Sequence, residues 1–561
     1  MRSKNLSALV FLLLFSCALV LLVTLTPSGA AHDDEHGHGG DGGNGQIGGQ
    51  PMSAMSGLPC VNGMAGTFPC QNVDLASFLP LASIGGGTGN DVWGWTDPLT
   101  NKEYALMGLS NGTAFVDISD AEHPVYLGKL PTHSIDSLWR AIKVYGNHAF
   151  IVSEAANHGM QVFDLTQLRN VAAPPVTFSE TAHYNAFSRA HTIAINEETG
   201  FAYANGVTAY TDAAANKCAR GLHIIDVRNP AHPTFAGCFA ADGYTHDTQC
   251  VIYRGPDVAY RNREICFNSN EDTLTIVDVT DKNAPRQLSR TTYTGSGYTH
   301  QGWLTDDQSM FLVDDELDEQ KLQTKTRTHI FDVSDLDAPT RTGVHEGTTG
   351  AIDHNLYILG RYAYQSNYRS GLRVLDISHA STATLQEVGY FDIYPVDDLP
   401  AFNGTWSNYP FFKSGVVIVS GIEQGLFVLR PTTNFVSTPQ LLTEWNSTRA
   451  IALDSVTRTR EPFSVNSTLN FSTDGRTRLM LFAYNVNLAP DEPQTVVTAQ
   501  AEDAQQRIYP LTVEYVGKVP DYERVTQVVV VLPAELAAAG DVSVSINLRG
   551  TPSNKALIKI Q

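Results

Sequence analysis

Four histidines lie at nearly equal spacing in the middle of the chain and are the residues best suited to chemistry. They are His191, His246, His300 and His354, separated by 55, 54 and 54 residues. Neutral imidazole is a common ligand for zinc, copper, iron and nickel, and a bound metal can activate water for hydrolysis. A divalent metal ion is therefore the candidate cofactor, although the sequence contains no recognised cofactor motif.

Carboxylates that fall close to the same positions would add oxygen ligands to such a centre. They are Glu154, Asp247, Glu271, Asp315, Glu316, Asp353 and Glu423. The alternative is structural, because a histidine at a repeated position often bonds the backbone of the neighbouring unit. A structural role recurs in every unit, whereas a metal site needs only three or four ligands, so the repetition favours the structural role.

Tryptophans recur at the same level of other units and predict either an aromatic binding surface or an aromatic interior. They are Trp93, Trp139, Trp303 and Trp406, with Trp95 close to the first of them. An aromatic surface would suit a sugar or a peptide, and Glu154, Glu271 and Glu423 would complete the set of candidate ligand-binding residues. Aromatic filling of an interior is the commoner use, so packing is the competing interpretation.

The elements that carry these residues repeat in two registers. One marker is a short strand that ends in an acidic residue, as in residues 112–117 (GTAFVD), and it recurs every 44 to 62 residues. The other is the aromatic or histidine position described above, which recurs every 46 to 55 residues. Short alternating or apolar strands with polar turns indicate an all-β protein, and this period suits four strands per unit. Seven units predict a seven-bladed β-propeller over residues 60–431.

Two local features complete this prediction. The seventh unit stops after its third strand, at Pro431, while the segment Val73 to Ile84 resembles a fourth strand without a unit of its own. We therefore expect that segment to close the seventh blade. The strand-end aspartates are expected to bond the backbone of the turn that follows each of them; they are Asp117, Asp164, Asp226, Asp278, Asp332 and Asp376.

The C-terminal part of the chain lacks the repeat. A polar linker at residues 432–442 leads into residues 443–561, where about seven short alternating strands predict an immunoglobulin-like β-sandwich. Such a module most often serves as a spacer or an adhesive unit, and we find no catalytic cluster in its sequence.

The N-terminus predicts export. Residues 1–31 combine Arg2 and Lys4, a long apolar run and small residues before a cleavage site at Ala30 or Ala31, which is typical of a signal peptide; the run is also long enough to remain as a membrane anchor. Residues 32–59 form a His- and Gly-rich segment predicted to be a disordered tether. It is either a spacer or a weak metal-capture segment.

Cysteine usage also suits an oxidising compartment. Six cysteines follow the predicted signal, and the most economical of their fifteen pairings joins sequence neighbours. The predicted disulfides are Cys60–Cys70, Cys218–Cys238 and Cys250–Cys266, the last two across hairpins. Free buried thiols are the alternative, which is less common in exported proteins.

Composition excludes two classes of partner. The chain has 58 acidic against 37 basic residues and a formal charge of −21, and no basic stripe that would neutralise phosphates. The sequence has no P-loop and no GxGxxG after a strand. We therefore expect neither a nucleic acid nor a nucleotide as partner, and we expect membrane contact only through an uncleaved signal.

Several of these segments together resemble the choice-of-anchor B family, whose repeats are of the LVIVD type. The resemblance covers roughly residues 60–431 and includes Asn90 to Pro98, Thr245 to Cys250, Thr299 to Trp303 and Asp353 to Leu356. It implies a secreted or surface-displayed bacterial β-propeller and does not specify a reaction. The C-terminus lacks the attachment signal of anchored members.

The leading functional hypothesis is an exported, non-enzymatic binding protein for an unidentified extracellular ligand or protein. The alternative is a metal-dependent extracellular hydrolase or lyase centred on the four histidines. A structural surface-layer component is a third possibility, which predicts self-assembly and no small-molecule ligand.

Overall fold

A computed structural model describes residues 46–47, 50–210, 218, 220–432, 439–444, 447–467, 469, 472–486, 488, 493–520 and 522–561. The predicted signal peptide and residues 32–45, 48 and 49 of the predicted tether lie outside these residues. Within the part of the chain just given, no helix has the length and apolar character needed to cross a membrane.

Seven antiparallel sheets follow one another and confirm the seven-bladed β-propeller. Blade 1 consists of Gly89–Thr96, Glu103–Leu109, Gly112–Asp117 and Val125–Pro131, and blade 2 of Arg140–Tyr145, His148–Ser153, Met160–Asp164 and Ala182–Tyr184. Blade 3 consists of Thr192–Asn196, Phe201–Asn205, Leu222–Asp226 and Thr234–Phe239, and blade 4 of Asp247–Ile252, Glu264–Ser269, Leu274–Asp278 and Arg286–Thr291. Blade 5 consists of Thr299–Leu304, Met310–Asp315, Arg327–Asp332 and Thr340–Glu346, and blade 6 of Asn355–Leu359, Tyr362–Ser366, Leu372–His379 and Thr384–Phe391. Blade 7 consists of Thr405–Tyr409, Val417–Gly421, Gly425–Pro431 and Val73–Pro80.

The smaller elements extend blades or cover them. Short strands are Gln46–Ile47, Gln50–Pro51, Met55–Leu58, Met64–Ala65, Phe68–Gln71, Val176–Thr177, Phe187–Arg189 and Thr208–Tyr210. The helical turns of the propeller are Leu81–Ser83, Leu165–Asn170, Asp318–Leu322 and Ala380–Thr382. Of these, Met55–Leu58 pairs with Val73–Pro80 at the edge of blade 7. This part of the segment predicted to be a disordered tether is therefore an ordered strand, because it adds hydrogen bonds to an otherwise open sheet edge.

The first strand of each blade lies at the centre of the ring. Each one contacts the first strand of the next blade, and Thr405–Tyr409 of blade 7 contacts Gly89–Thr96 of blade 1. Apolar cores lie between adjacent blades; between blades 7 and 1, for example, Ile418 and Val428 share a cluster with Val92. Residues at the same level of the first strands are therefore brought to a common axis.

The ring closes through the N-terminal strand, as the sequence predicts. Val73–Pro80 pairs antiparallel with Gly425–Pro431 and supplies the fourth strand of blade 7. The ring of Phe78 lies 4.5 Å from that of Phe427, centroid to centroid. Blade 7 is thus built from both ends of the propeller sequence.

The strand-end aspartates cap turns, which confirms the prediction for each of them. In every case one Oδ1 accepts a hydrogen bond from the backbone N–H two residues later, at 2.8 to 3.0 Å; the six acceptors are Asp117, Asp164, Asp226, Asp278, Asp332 and Asp376. The recurrence of the acidic marker therefore reports a repeated turn and not a repeated ligand.

Two of the three predicted disulfides are present, Cys60–Cys70 and Cys250–Cys266. The second joins facing residues of a blade 4 hairpin. The predicted Cys218–Cys238 bond is wrong in this structure, where the two residues are thiols. A hydrogen bond to Cys238, together with burial, raises the pKa of the Cys218 thiol well above its usual range. The sulfur of Cys218 also lies 4.0 Å from the carbonyl oxygen of Gly237, to which the thiol donates.

The C-terminal module is also all-β. Its strands are Gln440–Leu441, Ala452–Asp454, Arg478–Tyr484, Val497–Glu502, Ile508–Val519, Tyr522–Val531, Gly540–Leu548, Thr551–Pro552 and Ala556–Ile560, and its helical turns are Gln494–Val496 and Ala534–Leu536. The long strand Ile508–Val519 pairs on both sides, so the described strands form one hydrogen-bonded path instead of two separate sheets. The immunoglobulin-like arrangement stays a prediction.

Candidate functional site on the propeller axis

The four repeated histidines form a continuous row at one end of the axis. The centroid of the His246 ring lies 4.3 Å from that of His191 and 4.1 Å from that of His300, and His354 lies 4.5 Å beyond His300. We call these residues the histidine row. Their proximity follows from the ring of first strands, because each histidine stands at the start of one of them.

One nitrogen of each of the last three imidazoles bonds the next blade. Nδ1 of His246 lies 2.9 Å from the carbonyl oxygen of His300, and Nδ1 of His300 lies 3.0 Å from that of His354. Nδ1 of His354 bonds the carbonyl oxygen of Trp406 in the same way. A carbonyl can only accept, so Nδ1 carries the hydrogen and Nε2 of each neutral ring is the basic nitrogen. The predicted structural role is realised, and the same tautomer is the one that metal-binding histidines use.

Glu316 joins two members of the row. Its carboxylate oxygens lie 3.7 Å from Nε2 of His300 and 3.8 Å from Nε2 of His354, which is too long for a direct hydrogen bond. The hydroxyl of Tyr368 donates to Glu316 at 2.8 Å and fixes its position. The ligand atoms of His300, Glu316 and His354 all lie within 4.8 Å of one another. Two nitrogens and one carboxylate are a ligand set that zinc accepts.

The first histidine has a different partner. Nδ1 of His191 lies 2.5 Å from Oε1 of Glu154. Two residues predicted from the sequence are therefore in contact, but they form a pair beside the group around Glu316.

The cavity beside the histidine row is small. Its volume is about 30 Å³, and its walls include Trp139, Arg140, Asp247 and Trp406 as well as the histidines. This volume suits an ion or one or two waters and excludes a sugar. Burial lowers the pKa of His300 well below its usual range, and the neighbouring histidines lower it further. The imidazole is therefore neutral at pH 7 and able to act as a ligand.

A second, larger cavity lies farther along the first strands. It has a volume of about 480 Å³ and is lined by the rings of five aromatic residues, which we call the aromatic pocket: Trp93, Trp303, Tyr357, Tyr409 and Phe411. The polar and charged residues of its lining are Lys143, Asn196, Glu197, Glu198, Asp247, Thr248, Gln249, Gln301 and Gln308. Its size and mixed lining are those of a small-molecule site.

The aromatic rings of this pocket support one another. Tyr357 lies 5.6 Å from Trp93 and 5.0 Å from Trp303, measured between ring centroids. The ammonium group of Lys143 lies 4.2 Å from the Trp93 ring centroid and also bonds Asp91 at 3.3 Å. The pocket therefore holds a fixed cation against an aromatic face.

Burial raises the pKa of Asp247 to about 6, and Lys143 opposes that rise. Asp247 and Lys143 line both cavities. They form the polar layer between the histidine row and the aromatic pocket.

The structure divides the predicted tryptophans between the two cavities. Trp93 and Trp303 line the aromatic pocket, whereas Trp139 and Trp406 line the small cavity. Three residues of extended strand advance by about 10 Å, so His300 and Trp303 lie at different depths although they share a strand. The four tryptophans do not form a single platform.

The remaining predicted carboxylates lie elsewhere. Glu423 accepts hydrogen bonds from the Asn403 amide at 2.8 Å and from Gly404 N–H at 2.9 Å, and so organises a loop. Glu271 has a left-handed backbone conformation (φ 59°) and bridges to Thr299. Neither lines the small cavity or the aromatic pocket.

Sequence reasoning missed Tyr357, Tyr409 and Phe411. A signal for two of them was present, because Tyr357 and Tyr409 follow the repeated marker by three residues, as Trp303 does. At Trp303 and Tyr409 a β-bulge just upstream shifts the register of the first strand and re-aims the residues that follow. Phe411 lies beyond the end of its strand and has no such signal.

Comparison with known proteins identifies the repeat. Residues 218–240 and 353–388 match the LVIVD repeat family. The chain carries LVIVD repeats. The two matched stretches fall on blades 3 and 6, and the remaining blades have the same four-stranded form.

Other comparisons add little. Curated proteins give no match. A crystal structure of a protein from Lactobacillus plantarum aligns with 13% identity over 60% of this chain and 87% of that one, with a TM-score of 0.38. A TM-score of 0.38 supports no conclusion about the fold or function of this chain.

Proposed function

We propose that this LVIVD-repeat protein is an exported binding protein whose propeller takes a small ligand in the aromatic pocket. The observation that supports this most directly is the 480 Å³ cavity on the propeller axis, lined by five aromatic rings. Rigid aromatic side chains dominate the energetics of binding sites because they lose little conformational entropy on binding. Four of these rings lie on first strands, each of which contacts the first strands of both neighbouring blades, so the pocket is already formed.

The lining combines flat aromatic faces with the charged residues Lys143, Asp247, Glu197 and Glu198, the last of which is paired with Arg254. The aromatic faces suit a ligand with a flat apolar face, such as a sugar or a short peptide. Trp303, Tyr409 and Phe411 remain partly exposed and can stack against such a face. Gln249 and Gln301 can exchange hydrogen bonds with hydroxyl or amide groups at the same site. Lys143 and Asp247 lie together at the bottom of the pocket, where their charges partly compensate.

This function predicts aromatic-dependent binding. We expect neutral oligosaccharides or short uncharged peptides to quench the intrinsic tryptophan fluorescence of the full chain in a saturable titration. Trp303→Ala and Phe411→Ala should each raise Kd about tenfold, because each removes a stacking surface.

Tyr522→Ala is the matched control, since this aromatic side chain is 65% exposed in the C-terminal module. It should bind like the unaltered chain. Equal binding by all three variants would place the ligand elsewhere and contradict the proposal.

Export agrees with the two disulfides, which persist in oxidising compartments. It also agrees with the signal peptide predicted at residues 1–31. We further propose membership of the choice-of-anchor B family, as the segments quoted above suggest, and an immunoglobulin-like spacer role for the C-terminal module.

A metal-dependent hydrolase or lyase is a second candidate, favoured by the group of His300, Glu316 and His354. Each Nδ1–H of the two histidines is held by a carbonyl, and both Nε2 atoms approach the same carboxylate. Metal analysis of the purified full chain tests this role. We expect about one bound zinc per chain, lost in both His300→Ala and His354→Ala and kept in His191→Ala. Absence of stoichiometric metal from the unaltered chain would refute it.

A further inference from the structure

The aromatic pocket contains one cation of the chain itself, and that cation is already balanced. The ammonium group of Lys143 lies 4.2 Å from the Trp93 ring centroid and 3.3 Å from a carboxylate oxygen of Asp91. The same ammonium group attracts Asp247, which lines the pocket. One lysine therefore faces two carboxylates and leaves this end of the pocket without excess positive charge.

Two further carboxylates line the pocket where it opens to solvent. Glu197 and Glu198 follow the first strand of blade 3, Thr192–Asn196, and both are exposed. The two carboxylate oxygens of Glu198 accept hydrogen bonds from the guanidinium group of Arg254 at 2.7 and 2.6 Å. Among the residues that the structure describes, no basic side chain forms an ion pair with Glu197. Glu198 is thus neutralised within the chain, whereas Glu197 is not.

The carboxylate of Glu197 lies beside the rings of the pocket. Burial raises the pKa of the Tyr409 hydroxyl above its usual range, and the charge of Glu197 raises it further. The ring centroid of Tyr409 lies 5.3 Å from that of Phe411, which in turn lies 6.2 Å from that of Trp303. An unpaired negative charge therefore stands next to three linked aromatic rings that are partly exposed.

Most of the aromatic faces are not covered by a cation of the chain. Lys143 lies over Trp93, and in the described part of the chain no lysine or arginine lies over the other four rings of the pocket. The negative face of an aromatic ring attracts a cation, and this attraction increases where water is excluded. Aromatic faces beside an unpaired carboxylate are the surroundings that an organic cation prefers.

We propose that the ligand of the aromatic pocket carries an alkylated ammonium group, which binds against Trp303 and Tyr409 beside Glu197. This inference rests on the proposed function, because it names the chemical class of ligand for the same pocket. A neutral ligand uses the aromatic faces alone, whereas a cation adds its attraction to the rings and to the carboxylate. The formal charge of −21 also favours the approach of cations to this protein. A free amine and the side chain of a peptide share this chemistry.

The competing interpretation is an anionic ligand held by Lys143. Such a ligand would have to reach that ammonium group past Glu197 and beside Asp247 and Asp91. Because like charges repel at these distances, the lining opposes an anion.

The experiment compares three probes of nearly equal shape by calorimetric titration of the purified full chain. They are choline, the neutral alcohol neopentyl carbinol, in which a tert-butyl group replaces the trimethylammonium group, and the anion tert-butylacetate. We expect choline to bind with a Kd about tenfold lower than that of the alcohol, and the anion to bind most weakly. Added NaCl should weaken the binding of choline and leave that of the alcohol unchanged.

A pair of peptides distinguishes the two sources of the cation. An acetylated and amidated pentapeptide with lysine at its centre is compared with the same peptide carrying glutamine there. If the lysine peptide binds more tightly than choline, the natural cation belongs to a peptide; the reverse order assigns it to a free amine. Both results support the proposal, provided that each cation binds more tightly than its neutral counterpart.

Glu197→Gln keeps the size of the side chain and removes its charge, so it should raise the Kd of choline to nearly that of the alcohol without changing the Kd of the alcohol. Glu535→Gln is the matched control, because Glu535 is an exposed carboxylate of the C-terminal module, and it should keep the full preference for choline. Equal binding of choline and the alcohol, tighter binding of the anion, or an undiminished preference in Glu197→Gln would overturn the proposal. Failure of the proposed function is distinguishable, since Trp303→Ala would then leave the binding of every probe unchanged.

Discussion

At the residue scale, His300 has a partner beside each of its two ring nitrogens. Nδ1 of His300 donates to a carbonyl of the next blade, while its Nε2 faces Glu316. The hydrogen bond fixes the ring plane and the tautomer, and so leaves Nε2 as the nitrogen that the proposed metal would use. A repeated histidine can therefore hold two blades together and still present a second ring nitrogen that is able to act as a ligand.

The buried state of His300 predicts a pH dependence of stability. Because burial lowers its pKa in the folded chain, the unfolded chain binds a proton that the folded chain does not as the pH falls below about 6.5. The free energy of unfolding is therefore not lowered by this group above that pH, and it falls progressively below it. We expect His300→Asn, whose amide can still donate to the next blade, to lose about 1 kcal/mol less between pH 7.5 and 5.5 than the unaltered chain.

The measurement is the free energy of urea unfolding at several pH values. His232→Asn changes an exposed histidine and should follow the unaltered chain. If His300→Asn shows the same pH dependence as the unaltered chain, His300 is protonated in the folded state and the argument fails.

At the element scale, the strand that closes the ring matters most. Val73–Pro80 is the fourth strand of blade 7 and is itself flanked by Met55–Leu58. Its inner face packs into a core that spans blades 6 and 7 and includes Phe68, Phe78 and Phe427. Without it, Gly425–Pro431 would be an exposed strand edge.

We expect Phe78→Ala to destabilise the chain by about 3–5 kcal/mol, because it leaves a cavity beside Phe427 in a fully packed core. Urea unfolding followed by circular dichroism measures this loss. Leu99→Ala removes a side chain that is 73% exposed and should change the free energy of unfolding by no more than about 0.5 kcal/mol. Similar losses in the two variants would show that the closing strand contributes little.

At the scale of the whole molecule, the two modules have separate interiors. The core of the C-terminal module draws on residues between Leu441 and Ile560, with none from the propeller. The modules meet beside blades 5 and 6, where a cleft of about 650 Å³ is lined by residues that include Asp307, Tyr484 and Lys518. Such a contact resembles a domain interface more than a shared core.

A chain truncated after Pro431 should therefore keep the propeller folded. We expect its melting transition to lie within a few degrees of the propeller transition in the full chain, because no core residue of the ring is removed. Differential scanning calorimetry of both chains makes the comparison. Loss of cooperative melting in the truncated chain would mean that the C-terminal module is required for the ring.

Sequence by itself determined the repeated parts of this protein. Seven blades, the closing strand, the aspartate-capped turns and the level of the four histidines all follow from residues that recur in phase, since equivalent positions of a repeat occupy equivalent places around an axis. Tertiary structure alone decided what lies between repeats. The separation of the tryptophans depends on strand rise and bulges, and Glu316 reaches both His300 of blade 5 and His354 of blade 6. Neither follows a period, because each depends on how side chains at non-equivalent positions meet in the folded chain.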